Sequence, residues 1–160
     1  MQFAISPATP MDVPAILNLV RQLAEYERLS DMVVATEADF HQALFGERPV
    51  VRALLAFADN RAVGFALFFS TFSTFLGRPG LYLEDIYVEQ EFRGQGIGGA
   101  LLARIAKIAC QEKCGRVEWA VLTWNQPSID FYRNLGAETL EEWRTFRLTG
   151  KALENLASRA

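Results

Sequence analysis

From Leu81 to Cys110 the chain reads LYLEDIYVEQEFRGQGIGGALLARIAKIAC, an apolar strand, a short polar turn, a glycine-rich loop and an amphipathic helix in succession. Leu81–Val88 is dominated by aromatic and branched residues, as in a strand covered on both faces. Glu84 and Asp85 interrupt it. Adjacent strand residues point to opposite faces, so one of these two acids must face inward. From Ile97 the apolar residues recur at Leu101, Ile105 and Ile108, opposite Arg104, Lys107 and Gln111, which predicts a helix packed on a sheet. Gly94, Gly96, Gly98 and Gly99 lie between strand and helix. Four glycines at a helix start cost backbone entropy but let a ligand approach the main chain closely. The free amides and positive dipole end of the first turn form an anion site that suits a phosphate-bearing ligand.

With 160 residues, 51% of them hydrophobic, the chain is expected to build one well-buried core, a single domain over 1–160. A net charge of −3 with no basic run argues against a nucleic-acid footprint. MQFAISPATP is not a targeting segment, and no apolar run reaches membrane-spanning length, so a cytoplasmic protein is expected. Cys110 and Cys114, with a single remote His41, read as small buried hydrophobes rather than as metal ligands, and no metal is expected.

Phe3–Ser6 reads as a first strand, followed by a helix that opens at Thr9-Pro10 and runs to Glu25-Tyr26-Glu27-Arg28 with an unusually acidic last turn. Thr36 caps a short helix to Phe45, closed by Gly46. Val50–Ala58 and Ala62–Thr71 form a hairpin about Asp59-Asn60-Arg61. Phe65, Phe68, Phe69, Phe72 and Phe75 read as core and pocket wall. Ser73–Gly80 connects into the organising strand. The next strand, Val117–Trp124, follows the glycine-loop helix, then a short helix entered at Pro127, a final strand at Trp143–Leu148 and a closing helix over Lys151–Ala157.

Gly94, Gly96 and Gly99 satisfy the G-x-G-x-x-G spacing of dinucleotide-binding folds, but Glu89–Phe92 intervene between strand and loop and no series of βαβ units surrounds it. The same residues, read as Arg93-x-x-Gly96-x-Gly98, resemble the pyrophosphate-binding motif of the GNAT superfamily of acetyl-CoA-dependent N-acetyltransferases. LYLEDIYV, FRGQGIG, WNQPSIDFYRNLGA and the closing WR-F segment together are similar to the diamine (spermidine/spermine) and thialysine N-acetyltransferases. The resemblance covers essentially the whole chain. One departure is Ser73, which stands about where the polyamine enzymes carry an acid.

The resemblance implies an α/β fold with a twisted mixed sheet, splayed between the central strand (81–88) and the next parallel strand (117–124) and flanked by helices. Acetyl-CoA would lie in that opening. Its pantetheine arm would meet Ile86, Tyr87 and Val88, and its diphosphate Arg93, Gly94, Gln95, Gly96, Ile97, Gly98 and Gly99. Asn125, Ser128 and Tyr132 would help hold it. Glu84 would accept the amine proton, and Tyr132 would protonate the departing thiolate. Tyr26, Glu27, Glu84, Asp85 and Glu142 would line the amine site. The implied activity is acetyl transfer to a primary amine of a small molecule (polyamine, diamine or thialysine-like) by direct attack in a ternary complex, by a homodimer. A protein lysine or N-terminal acetyltransferase and a non-catalytic acyl-CoA-binding module are the alternatives.

Overall fold

The computed structural model describes residues 2–160. It contains strands β1 (Phe3–Pro7), β2 (Arg52–Ala58), β3 (Arg61–Ser73), β4 (Arg78–Val88) and β5 (Val117–Trp119), with helices α1 (Val13–Tyr26), α2 (Glu37–Phe45), α3 (Ile97–Gln111), α4 (Gln126–Asn134) and α5 (Gly150–Ala157). One compact unit runs to Ala120, and a second spans Val121–Ala160. Among the described residues no helix is long and apolar enough to cross a membrane.

In the first unit the sheet order is β1-β2-β3-β4-β5, antiparallel throughout except for the parallel β4–β5 pair. Asp59 and Asn60 make the tight turn between β2 and β3 with φ of 48° and 60°, the left-handed values that a two-residue hairpin demands and that Asp and Asn tolerate. Thr36 caps α2 as its sequence suggests. Its hydroxyl accepts from the Asp39 amide, and the Asp39 carboxylate accepts from the Thr36 amide at 2.8 Å.

Both faces of the sheet are covered. Val13, Ile16, Leu19 and Leu23 of α1 pack with Leu55, Phe65, Leu67 and Tyr87. On β2 and β3 these alternate with Leu54, Ala56, Ala66 and Phe68, which are also buried and belong to the opposite face, where α3 lies with Ile97, Leu101 and Ile105 inward. Each fully buried Leu or Ile of this kind contributes roughly 1.5–3 kcal/mol.

One irregularity in β4 decides how the site is built. Leu67 of β3 faces Asp85 and the next residue, Phe68, faces Leu83, so Glu84 is an extra residue without a partner on β3, a β-bulge. The bulge reverses the alternation. Leu81 and Leu83 face α3, whereas Asp85 and Tyr87 face α1.

Several expectations are corrected. Val117–Trp124 reads as one strand, but the ladder to β4 stops at the Leu83–Trp119 pair and the chain turns irregular beyond it. Trp143–Leu148 has strand-like alternation but forms no strand, and Trp143 and Phe146 are 77% and 93% exposed. Alternation marks a face to be buried and does not supply the neighbouring edge that a strand requires. Phe65 and Phe68 are core, but Phe72 and Phe75 sit at or beyond the end of β3 and are exposed. Cys110 is exposed and Cys114 is half-buried just past α3, so neither is a core hydrophobe.

Candidate active site

β4 continues through Glu84–Val88 after β5 has ended, leaving that edge of its backbone unladdered by β5. The strand runs by way of a single 3-10 turn, Gln90–Phe92, into the glycine loop. Gly94 and Gly96 have φ of 74° and 84°, which a side chain would strain. Gly96 is the N-cap of α3 and offers no side-chain oxygen, and the first helical hydrogen bond is made by Ala100 to the Gly96 carbonyl. The amides of Ile97, Gly98 and Gly99 therefore have no carbonyl within the helix to bond. A methyl group built on Gly94, Gly96 or Gly99 would meet nothing within 4 Å, so the cradle is open to a ligand. These residues fit a diphosphate.

The turn that presents the loop is anchored by Glu89, which sequence reasoning passed over as a spacer. Its buried carboxylate accepts from Gln22 Nε2 at 3.1 Å, and both its oxygens lie against Arg61 Nη1, at 2.8 and 2.6 Å. Arg61 also lies over the Phe92 ring at 5.2 Å. The available signal was an acid placed directly after a buried strand, where only a paired charge is stable. Arg93, expected among the diphosphate contacts, is exposed and lays its side chain back along the surface toward the end of β4 and the last turn of α1. Its Nε donates to the Val88 carbonyl at 2.9 Å, and its guanidinium stacks over Tyr26 at 4.5 Å and Tyr87 at 5.4 Å. Gln95 Nε2 donates to the Glu91 carbonyl at 3.2 Å. The loop is thereby tied to the end of β4 and to the last turn of α1.

At that last turn the acids gather. Glu27 caps the C-terminus of α1, and burial pushes its carboxyl above the ordinary range. Glu84 is exposed on the bulge, whereas Asp85 is half-buried. Asp85 is pushed up to about 6, first by burial and then by the negative charges of Glu84 and Glu27. Beside them Tyr87 is buried, and its hydroxyl donates to Gln22 Oε1 at 3.5 Å. Burial raises its phenol, and Arg93 partly opposes this. The first unit thus brings Tyr26, Glu27, Glu84, Asp85, Tyr87 and the glycine loop into one neighbourhood.

In the second unit Asn125 is the N-cap of α4, and its Oδ1 accepts from the Ser128 amide at 3.4 Å. Pro127 sits in the first turn, where its missing donor costs nothing. Asn125, Ser128 and Tyr132 recur three and seven residues along and share one side of the helix. Tyr132 is half-buried, with its ring 5.5 Å from that of Phe131. Glu142 is not carried on this helix. It is exposed on the irregular segment before α5.

A mixed sheet whose central strand outruns its parallel neighbour and feeds a glycine-built helix N-terminus is the frame of an acyl-group transferase. Residues 14–137 match the acetyltransferase (GNAT) family, and the chain belongs to it. It is an acetyltransferase, and enzymes of this family use acetyl-CoA as co-substrate. It is 40% identical to the thialysine N-epsilon-acetyltransferase of Bos taurus, with 97% of each chain covered. It is 35% identical to an L-ornithine N5-acetyltransferase of Arabidopsis thaliana, covering 92% of this chain and 84% of that one. Among solved structures, an integron cassette protein from the mobile metagenome of V. cholerae superposes with a TM-score of 0.82 at 27% identity, covering 98% of each chain.

Proposed function

We propose that this acetyltransferase moves an acetyl group from acetyl-CoA to a primary amine of a small molecule of polyamine, diamine or thialysine type, by direct attack in a ternary complex. One observation carries the reading. A single strand, β4, bears two adjacent acids at Glu84 and Asp85 and then runs, with one edge unladdered by β5, into the unsatisfied amides of the α3 N-terminus. Glu27 adds a third carboxylate, and an acidic, partly desolvated neighbourhood suits a cationic amine. The named relatives, which act on thialysine and L-ornithine, support the same substrate class. The family match spans both compact units, which supports their acting as one domain over 1–160.

Three tasks fall to the protein. An alkylamine with a pKa near 10, as for lysine, must lose a proton before it attacks, and the β4 acid pair is the acceptor. Negative charge grows on the acyl oxygen during attack, and a backbone amide of the open β4 edge, at Ile86 or Val88, is available to donate to it. The departing sulfur needs a proton, and the likeness of WNQPSIDFY to the family motif supports Tyr132 as its donor. The bound co-substrate supplies the activated acyl group as a thioester. The same reading has the enzyme working in the cytoplasm as a homodimer, which the exposed apolar side chains Trp143, Phe146 and Leu148 support.

The test is calorimetric titration with acetyl-CoA, followed by CoA release over polyamines, thialysine, ornithine and aminoglycosides. Saturable binding and release with at least one diamine or lysine-like amine are expected, with intersecting double-reciprocal lines when both substrates are varied. Tight cofactor binding with silence across the amines would overturn the assignment, and parallel lines would overturn direct attack.

A further inference from the structure

Among the described residues Glu89 is the only charged side chain that is buried, and no step of the acetyl transfer above uses it. It stands where β4 gives way to the turn that delivers the glycine loop. Its amide donates to the Val63 carbonyl on β3 at 2.9 Å, and its carbonyl accepts from the Phe92 amide at 2.9 Å, which closes the 3-10 turn. Its carboxylate is held by two other elements, by Arg61 of β3 and by Gln22 of α1. We propose that Glu89 and Arg61 are a positioning pair for acetyl-CoA: the carboxylate fixes where the loop leaves β4, and the guanidinium cancels a charge that would otherwise repel the diphosphate. This rests on the reading of the glycine loop as the acetyl-CoA site.

A buried ion pair is a poor device for stability alone, since apolar side chains of the same volume commonly do as well. What the pair supplies is direction. Gln22 is itself oriented, because the Tyr87 hydroxyl donates to its Oε1 at 3.5 Å and leaves Nε2 to face Glu89 at 3.1 Å. One helical turn further along α1, Tyr26 lies under the guanidinium of Arg93. The turn is therefore gripped by α1 at both its ends, at Glu89 and at Arg93, immediately before Gly94. Charge gives the second argument. An unpaired anion so close in the chain to an anion site would oppose its ligand, and burial leaves it poorly screened by salt. Arg61 supplies the compensating charge from the surface, its side chain 53% exposed against 8% for Glu89, and its stack over the Phe92 ring at 5.2 Å keeps it on the turn.

Calorimetric titration with acetyl-CoA of wild type, Glu89→Gln, Arg61→Gln, Arg61→Lys and the double variant Glu89→Gln/Arg61→Gln, each well below its own Tm, tests both parts. Glu89→Gln loses the ionic grip but leaves no buried charge, and should weaken binding about three- to tenfold. Arg61→Gln leaves the buried carboxylate uncompensated and should weaken binding more, by at least about tenfold. Arg61→Lys returns the charge without the planar fork and should fall between Arg61→Gln and wild type. The double variant should bind more tightly than Arg61→Gln, because the uncompensated anion is gone. With acetyl-CoA saturating, kcat of Arg61→Gln should stay within about threefold of wild type, since the pair sets the cradle and touches no reacting atom. Glu112→Gln is the control, breaking the Arg52–Glu112 pair between β2 and the end of α3 with no change in affinity. Wild-type affinity in Glu89→Gln or in Arg61→Gln, or a double variant that binds no better than Arg61→Gln, would overturn the proposal while leaving acetyl transfer intact. A wild type with no affinity for acetyl-CoA would instead overturn the reading on which it rests.

Discussion

A residue held above its ordinary pKa destabilises the fold while ionised, and Asp85 makes this measurable without any substrate. Its carboxyl moves from an ordinary 3.8 to about 6 because burial, Glu84 and Glu27 all oppose the charge. At about 1.4 kcal/mol per pH unit, that displacement corresponds to roughly 3 kcal/mol. The sign follows from proton counting. Between about pH 4 and 6 the folded chain binds a proton that the unfolded chain has released, so this contribution to stability is fully present below 3.8 and is lost as pH rises through about 6. Above that the cost of the ionised group is constant. Asp85→Asn removes the charge and nearly keeps the shape. It should therefore raise stability at pH 7.5 by about 2–3 kcal/mol, or roughly 4–12 °C in Tm for a chain of this length, and confer little gain at pH 4. Urea denaturation of both proteins at pH 4, 5, 6 and 7.5 measures the difference directly. A gain of the same size at every pH, or none at pH 7.5, would refute the reasoning, because the cost would then not be electrostatic.

Three further substitutions probe the cradle and the assigned acid. Gly96→Ala places a side chain at a φ of 84° with nothing within 4 Å to clash, so denaturation should show a loss of only about 1–2 kcal/mol while calorimetry shows acetyl-CoA affinity falling at least tenfold; unchanged affinity would exclude the loop as the diphosphate site. Arg93→Lys keeps the charge but loses the planar stack on Tyr26 and Tyr87 and the Nε donor to Val88, and should raise KM for the amine more than KM for acetyl-CoA in steady-state kinetics, since the Tyr26 end of α1 is released. Tyr132→Phe should lower kcat by about 10²-fold or more with acetyl-CoA affinity within about threefold of wild type, and an unchanged kcat would remove the phenol from the reaction.

Much of this architecture was legible locally. The Thr36 cap and Gly46 stop bound α2 as read, Asp59-Asn60 makes the tight hairpin turn, and the strand–glycine loop–helix passage stands where its pattern puts it. The misreadings share a cause. Val117–Trp124 and Trp143–Leu148 both carry strand-like composition, yet a strand exists only where a neighbouring edge takes its hydrogen bonds, and that edge is distant in sequence. Cys110 is apolar by type and lies on an amphipathic helix, but it projects from the wet side of α3. Glu89 was missed because its partners, Gln22 and Arg61, come from α1 and β3.

The sequence by itself determined the cradle. Glycines that alone tolerate the backbone angles at 94 and 96, followed by an amphipathic run, specify an open helix N-terminus whatever the rest of the chain does, because φ preference and helical periodicity act over a few residues. Only the tertiary structure decided which acid looks inward. Glu84 and Asp85 are interchangeable in an alternating pattern, and their faces are set by where β4 slips one residue against β3. Such a slip is a property of two strands and the packing between them, so it becomes definite only once the sheet has formed.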